Sequence, residues 1–396
     1  MKKLFIEDLN VKDKKVLMRV DFNVPLDANG NITDDTRIIA ALPSIRYIIK
    51  NGGIAILMSH LGRPKGKKNP SMSLAPTAKR LSELLGKPVK FIHDCVGPEA
   101  EKGVAELKPG DVAILENLRF YDAEEKNDPE FAKSLAKLGD IYVNDAFGTA
   151  HRAHASTEGV NKYFKQCATG YLMMKEIKFL HDELLENPKK PLIAILGGAK
   201  VSDKIGVVKK LLEKVDTLII GGGMAYTFLK AQGKKIGSSI CEDDQLETAR
   251  AIIADAKKRG VNLLFPDDYV VADKFDNDAN QKIVSPDGIE NGWMGMDIGP
   301  KTIEKFSKSL KGAGTIFWNG PLGVFELPNF AKGTMEVAKA VADSGAVTVI
   351  GGGDSVSAIN QSGLADKISH ISTGGGASME YLEKGELVGI NALTDK

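Results

Sequence analysis

No stretch of this sequence approaches the ~20 consecutive apolar residues of a membrane-spanning helix, which excludes an integral helical membrane protein. Cysteine is scarce: Cys95, Cys167 and Cys241 are far apart and odd in number. That is a poor disulfide framework and fits a reducing compartment, where buried small hydrophobes or inert thiols are the simplest use for them. Net charge is nearly absent, because 53 Lys+Arg face 52 Asp+Glu and leave +1. No global basic field therefore marks nucleic acid or a membrane surface as the main partner. Met1-Lys2-Lys3 runs into Glu7 and Asp8 without an apolar stretch, so no secretory signal is expected, and the protein is expected to be soluble and cytoplasmic. The common phosphate-site signatures are missing too. There is no GxxxxGK[ST], no GxGxxG after a strand, no GxSxG elbow and no HRD or DFG set, so a nucleotide site must use another arrangement.

What is present is a regular alternation of short apolar runs and amphipathic segments. The 396 residues, 43% of them hydrophobic, suffice for two or three buried cores. Strands are expected at 16–22, 54–59, 112–116 and 141–144, then at 192–196, 217–220, 262–265, 315–318 and 347–350. Such near-continuous Val/Ile/Leu runs suit strands covered on both faces. Between them, Asp128 can cap a helix with Pro129 in its first turn and Gly139 past its end. After Ser202, residues Ile205, Val208, Leu212 and Val215 share a helical face. The fold class is α/β, with parallel sheets and helices on both faces, split between two domains. The boundary is expected near 169–191, where 171–185 reads as one helix that exits through Asn187-Pro188 and Pro191.

The ends of the expected strands differ between the halves. In the second half they are glycine-rich: ILGGAK, IIGGG, VIGGGD and ISTGGG. Open parallel sheets bind ligands outside the carboxyl ends of their strands, and glycine turns let backbone amides approach a phosphate chain. Lys200 and Lys204 surround a helix start, where the macrodipole disfavours cations by up to ~1 kcal/mol each. Either they are solvated surface lysines or they are point charges for a phosphoryl group in transfer, and the adjacent double glycine favours the second reading. Asp354 in GGGDS serves as an N-cap or as a Mg²⁺ ligand, with nothing local to separate the two. In WNGPLGVFE, Glu326 can receive ribose hydroxyls or simply follow a proline-glycine turn. Gly221 to Gly223 are the weakest signal and are explained by close helix–strand packing alone.

In the first half the strand ends are cationic: RVDFN, SHLGR, ENLR and HRAH. Arg37 opens a helix behind Asp34-Asp35-Thr36, a place where local stability does not call for arginine. Arg63, Arg119 and Arg152 lie at or just beyond apolar runs, and their planar forks suit phosphate or carboxylate. A lone surface arginine is usually only solvated, but several at successive strand ends converge on one crevice. Asp21, Asn23, His60 and His151 add hydrogen-bonding capacity. His151 and His154 lack the further ligands of a zinc site, and His154 is better read as a packed, hydrogen-bonding histidine.

These motifs, with GTAHRAHAS, GWMGMDIGP and STGGGAS, resemble those of the phosphoglycerate kinase family in the same order, from Arg19 to Ser378. The resemblance implies two doubly wound, Rossmann-like domains joined by a helix and hinge. Residues 1–170 would bind 3-phosphoglycerate, 171–187 would link, 188–372 would bind nucleotide, and 373–396 would return to the first domain. It implies reversible phosphoryl transfer between 1,3-bisphosphoglycerate and ADP, giving 3-phosphoglycerate and ATP in glycolysis, with Mg²⁺ as cofactor, in a monomer. Carried over residue by residue, Asp21, Asn23, Arg37, His60, Leu61, Gly62, Arg63, Arg119 and Arg152 would bind the acid phosphate. Lys204, Gly295, Glu326, Gly352, Gly353, Asp354 and Ser355 would bind the nucleotide, with Asp354 on Mg²⁺. Arg37 and Lys200 would stabilise the phosphoryl group in flight. Met296 sits at a variable nucleotide-contact position, and GGGDS stands where GGGDT is more frequent. Another small-acid kinase would lack the ordered cationic set, an inactive scaffold would have lost the lysines, Arg37 or Asp354, and a dehydrogenase is disfavoured by the missing dinucleotide fingerprint.

Overall fold

A computed structural model describes residues 2–396. The chain divides into two compact units, Met1–Lys178 with Glu386–Lys396, and Phe179–Gly385. In the first, the apolar runs form β1 (Lys15–Arg19), β2 (Ile54–Met58), β3 (Lys90–Ile92), β4 (Val112–Leu115), β5 (Ile141–Asn144) and β6 (Cys167–Thr169). They make one parallel sheet in the order β3-β4-β2-β1-β5-β6. All five residues of β2 are buried, as a strand covered on both faces requires. Val16 and Met18 enter one core while Leu17 between them enters the other, which is the two-residue alternation of a strand. From β1 the chain moves to β2 on one side, and from β5 to β6 on the other. The topological switch point, where open α/β sheets bind ligands, therefore lies between β1 and β5. The C-terminal residues are stitched into this unit, where Leu4 donates to Thr394 and Thr394 donates to the Cys167 carbonyl.

In the second unit the strands are β7 (Leu192–Leu196), β8 (Thr217–Ile220), β9 (Asn262–Leu264), β10 (Tyr269–Ala272), β11 (Gln281–Val284), β12 (Met294–Ile298), β13 (Thr315–Asn319), β14 (Val347–Gly351) and β15 (His370–Ile371). Six form a parallel sheet in the order β15-β14-β13-β7-β8-β9, with its switch point between β13 and β7. The expected α/β class with two doubly wound parallel sheets holds. The remaining three strands form an antiparallel sheet, β11-β10-β12, that the sequence reading did not foresee. Its strands are short and β11 is largely exposed, so no apolar run announced it. Among the described residues no helix is long and apolar enough to cross a membrane.

Local signals were mostly read correctly, with two corrections. Asp128 caps the Pro129–Ala136 helix through Oδ1, which accepts from the Phe131 amide at 2.8 Å. Gly139, however, does not end that helix in a left-handed turn. A Cβ there would stand 2.7 Å from Leu17 Cβ, so glycine permits close approach to β1. The single helix expected at 171–185 is α-helical only over Tyr171–Ile177 and continues with π winding over Lys178–Glu186. Its apolar spacing is compatible with either winding.

Glycine is obligatory where the second sheet's loops meet. The Gly197 amide donates to Asn319 O at 2.9 Å and the Gly198 amide to Pro321 O at 3.0 Å. A Cβ on Gly197 would stand 2.1 Å from Pro321 O, a main-chain atom that cannot swing aside. We expect Gly197→Ala to destabilise the protein by about 2–3 kcal/mol in urea unfolding. Gly376→Ala, with nothing within 4 Å, should stay within about 0.5 kcal/mol. Equal midpoints for the two variants would contradict the close-approach argument.

Candidate functional site

At the carboxyl end of the first sheet, β1 ends in Arg19, which is only 1% exposed. Its guanidinium donates from Nε to Ser156 Oγ at 2.8 Å, from Nη2 to His60 Nδ1 at 3.1 Å, and from Nη1 to the Val20 carbonyl. Charge compensation comes from Glu124, fully buried, whose carboxylate accepts from the Ser156 hydroxyl at 2.5 Å and amide at 3.0 Å. Arginine has no acceptor, so His60 Nδ1 must be unprotonated and the neutral ring carries its proton on Nε2. Burial holds the His60 pKa well below its ordinary value, helped by the charges of Arg19, Arg119, Arg152 and Arg37. His60 is thus a neutral donor surrounded by cations. His154 belongs to the same field, where burial and then Arg119, Arg19 and Arg152 push it down to about 4.

Arg37, Arg119 and Arg152 are individually braced. Arg37 donates from Nη1 to Asp21 Oδ2 at 2.8 Å, which explains an arginine in the first turn of the Thr36–Lys50 helix. Asp34, not Asp35, closes that turn, accepting from the Thr36 amide at 2.9 Å. The Leu61-Gly62 segment is clamped from three directions. Asn23 Oδ1 accepts from the Gly62 amide at 2.9 Å, Arg119 Nη1 donates to Gly62 O at 2.9 Å, and Asn117 Nδ2 donates to Leu61 O at 2.7 Å. The Leu61 side chain lies in the core, so only its main chain is available to a ligand. Arg152 is half-buried, with Nε donating to His151 Nε2 at 3.2 Å, and Arg63 is exposed one residue beyond Gly62. Arg37, Arg119 and Arg152 are therefore brought into one field, with Arg19 added by the structure. Sequence reasoning placed Arg19 in a cationic strand end but gave it no role, and it passed over Glu124, because nothing local marks a buried charge pair. The arrangement suits a small polyanion that carries hydroxyl groups.

The second unit holds a cavity of about 460 Å³ at its switch point. Its walls come from the turns Gly198-Ala199, Gly222-Gly223 and Pro321 to Val324, with Tyr226, Ile240 and Phe275. Gly222, at φ 62°, would place a Cβ 2.6 Å from both Gly198 N and Pro321 O, so the three turns interlock backbone to backbone. The Gly221–Gly223 turn thus packs closely against neighbouring turns, not between helix and strand as expected, and Gly222 and Gly223 also line the cavity. Of the expected nucleotide residues, Gly295, Glu326 and Asp354 line it. A Cβ on Gly295 would fall 1.9 Å from Tyr226 Oη. Lys204, Gly352, Gly353 and Ser355 are not among its lining residues, and Gly353 is exposed. Lys204 Nζ donates to Asn319 Oδ1, and Asn319 Nδ2 donates to Gly351 O at 2.6 Å. Burial lowers the Lys204 pKa, opposed by Asp203 and Asp354. Ser355 is buried and its Oγ accepts from the Gly320 amide at 2.5 Å, so this hydroxyl braces the neighbouring turn. Asp354 does not cap its helix. The N-cap is Gly352, with no side-chain cap, which leaves an exposed carboxylate at the cavity wall. Lys200 is exposed on the turn that follows β7. Ile240, Phe275 and Tyr226 were missed because an apolar residue facing a cavity looks, in sequence, like any core residue. The apolar wall can receive a flat ring, and the amide-rich turns a phosphate chain.

A family model described as phosphoglycerate kinase matches residues 6–385. The chain is 58% identical to the phosphoglycerate kinase of Chloroherpeton thalassium over 398 residues, covering all of both chains. It is likewise 58% identical to that of Clostridium botulinum over 393 residues, 99% of this chain and 98% of the relative. Among solved structures it is similar to phosphoglycerate kinase from Coxiella burnetii, with a TM-score of 0.91, 44% identity and 98% of each chain covered. The enzyme from Pyrococcus horikoshii superposes with a TM-score of 0.81 at 37% identity, again covering 98% of each chain. An ordered series of motifs, two switch-point sites and full-length relatives agree: the chain belongs to the phosphoglycerate kinase family and catalyses its glycolytic phosphoryl transfer, between 1,3-bisphosphoglycerate and ADP.

Proposed function

We propose that the cationic crevice of the first unit is the acid-phosphate half-site and the glycine-walled cavity of the second is the nucleotide half-site. The observation that carries this reading is the convergence of four guanidinium charges on one neutral, buried imidazole. Such a field is costly without an anion to receive. In this reading Arg63, Arg119 and Arg152 hold the phosphate and carboxylate of 3-phosphoglycerate. His60, Asp21 and Asn23 order its hydroxyl and the surrounding loop, and Leu61 and Gly62 contribute main-chain groups. Gly295, Glu326 and the Gly352–Ser355 turn hold the nucleotide, with Lys204 on its phosphates. Asp354 offers an oxygen donor free of helix capping, and Mg²⁺ favours one or two carboxylates together with nucleotide phosphates and waters. When bound there, the ion would neutralise phosphate charge.

The acceptor is a carboxylate, ionised at neutral pH, so no general base is needed. In the direction of ATP consumption, a carboxylate oxygen forms a bond to the γ-phosphorus as the bond to the bridging oxygen breaks, and ADP leaves with that electron pair. Arg37 and Lys200 neutralise the equatorial oxygens, and the rest of the catalysis is positioning. The half-sites lie on different units, so the units must approach during transfer and exclude water that would hydrolyse the acyl phosphate. We further propose a cytoplasmic, monomeric enzyme with neither membrane nor nucleic acid as partner.

In steady-state assays with 3-phosphoglycerate and MgATP, Arg37→Ala and Lys200→Ala should each lower kcat about 100-fold or more. KM should change far less, and near-normal turnover in both would remove them from the transition state. Asp354→Asn should weaken MgADP binding in titration calorimetry while sparing 3-phosphoglycerate, and unchanged MgADP affinity would refute the metal role. The site also has a pH signature. His154, held at about 4 in the folded chain, is neutral there, while the unfolded chain takes up a proton near pH 6.5. Its contribution to stability is therefore present above about 6.5 and lost as pH falls toward 4. Buried Asp145 and Asp297, both pushed up to about 7, act in the opposite sense but equally in a variant. Between pH 7 and pH 5, His154→Gln should thus lose less stability than the parent protein in urea titrations. An equal loss would contradict the assignment.

A further inference from the structure

Glu242 lies apart from the glycine turns and the lysines, yet its carboxylate holds the turn between Lys200 and Lys204. Oε2 accepts from the Val201 amide at 2.6 Å and the Ser202 amide at 3.1 Å, and Oε1 accepts from Ser202 Oγ at 2.5 Å. These are charge-assisted bonds, about twice as strong as neutral ones. The turn is closed on its far side by the Lys204 amide, which donates to Val201 O at 2.9 Å. Val201 is fully buried, so the residue after Lys200 is anchored by its side chain and by its amide.

Glu242 is itself tied down. Its amide donates to Thr227 Oγ1 at 3.1 Å, and Thr227 is buried on the Met224–Ala231 helix that begins at the cavity wall. Next along, Asp243 pairs with Lys230 of the same helix at 2.7 Å. Two residues earlier, Ile240 lines the cavity and packs over Gly223, where an added Cβ would stand 2.9 Å from its Cγ2. Burial pushes the Glu242 carboxyl up, but the bonds from Ser202 and Val201, with the nearby Lys200 charge, bring it net below its ordinary value. It is ionised under assay conditions. No hydrogen bond to Glu242 is needed by the sheet or by the glycine interlock. The carboxylate serves the lysine turn.

We propose that Glu242 is a positioning residue for phosphoryl transfer, which fixes the 201–202 main chain so that Lys200 is held ready for the transferring group. This rests on the reading of Lys200 as the group that neutralises the phosphoryl oxygens. A plain structural staple predicts that loss of Glu242 costs the same whatever residue stands at 200. A positioning role predicts that the cost vanishes once Lys200 is gone.

The test is a double-mutant cycle on the full-length enzyme, with kcat, KM for both substrates and urea midpoints measured for Glu242→Ala, Lys200→Ala and the pair. Glu242→Gln, which keeps one acceptor oxygen and the side-chain volume, carries the same cycle if the alanine variant does not fold. The expected result is a kcat about 10- to 100-fold lower for Glu242→Ala, a smaller loss for Glu242→Gln, and KM for 3-phosphoglycerate within about twofold. In the Lys200→Ala background the same change should cost less than about twofold. Additive losses, or an unchanged kcat in Glu242→Ala, would overturn the proposal while leaving Lys200 in its role. Near-normal kcat in Lys200→Ala itself would sink the reading of Lys200, and the proposal with it.

Discussion

Like charges crowded into a buried crevice repel one another, and the first unit is organised around making that tolerable. Arg19, Arg37, Arg119 and Arg152 all act on His60, and the first three are each met by a specific countermeasure. Fully buried Glu124 compensates Arg19 through Ser156, Asp21 pairs with Arg37, and Arg119 is bonded to the Gly62 carbonyl. His60 contributes by staying neutral, because a protonated ring would add one more cation at the worst place. The crevice therefore holds an unspent positive potential, fixed before any ligand arrives, which is what electrostatic preorganisation requires. Removing one buried partner would leave a charge uncompensated, so the network stands or falls together.

In the second unit the governing constraint is steric. Three glycine turns meet at the switch point with main-chain atoms where side chains would otherwise be, and the cavity wall is made of that contact. Amides can approach a phosphate chain there only because no Cβ intervenes. Polar residues around this wall hold its turns in place. Ser355 holds Gly320, Asn319 joins Lys204 to Gly351, and Glu242 holds the lysine turn. A motif such as GGGDS is thus divided in its duties, with the serine turned inward and the aspartate left at the wall.

Much of this was legible in the sequence because it depends on short-range chemistry. Buried parallel strands announce themselves as apolar runs, so β2, β5, β7 and β13 could be placed to within a residue or so. Asp128 with Pro129 marks a helix start by local hydrogen bonding alone. The cations at strand ends stood out because local stability did not ask for them. What stayed hidden depends on contacts between distant parts of the chain. The Arg19–Ser156–Glu124 arrangement joins residues more than a hundred positions apart. Ile240 and Phe275 are exposed hydrophobics whose only sign is the cavity they border. The antiparallel β10–β12 sheet is built from short strands with one weakly apolar member, and the π winding after Ile177 leaves no mark in residue type.

The central claim is that a neutral His60, in the field of four arginines, defines the acid-phosphate half-site. The most direct measurement is the nitrogen chemical shifts of the His60 ring by NMR, followed through a pH titration and on addition of each ligand alone. The account predicts an unprotonated Nδ1 and a protonated Nε2 that persist well below the ordinary midpoint near 6.5. It also predicts a shift on adding 3-phosphoglycerate but none on adding ADP. A ring that titrates near 6.5, or that responds to ADP and not to 3-phosphoglycerate, would contradict it.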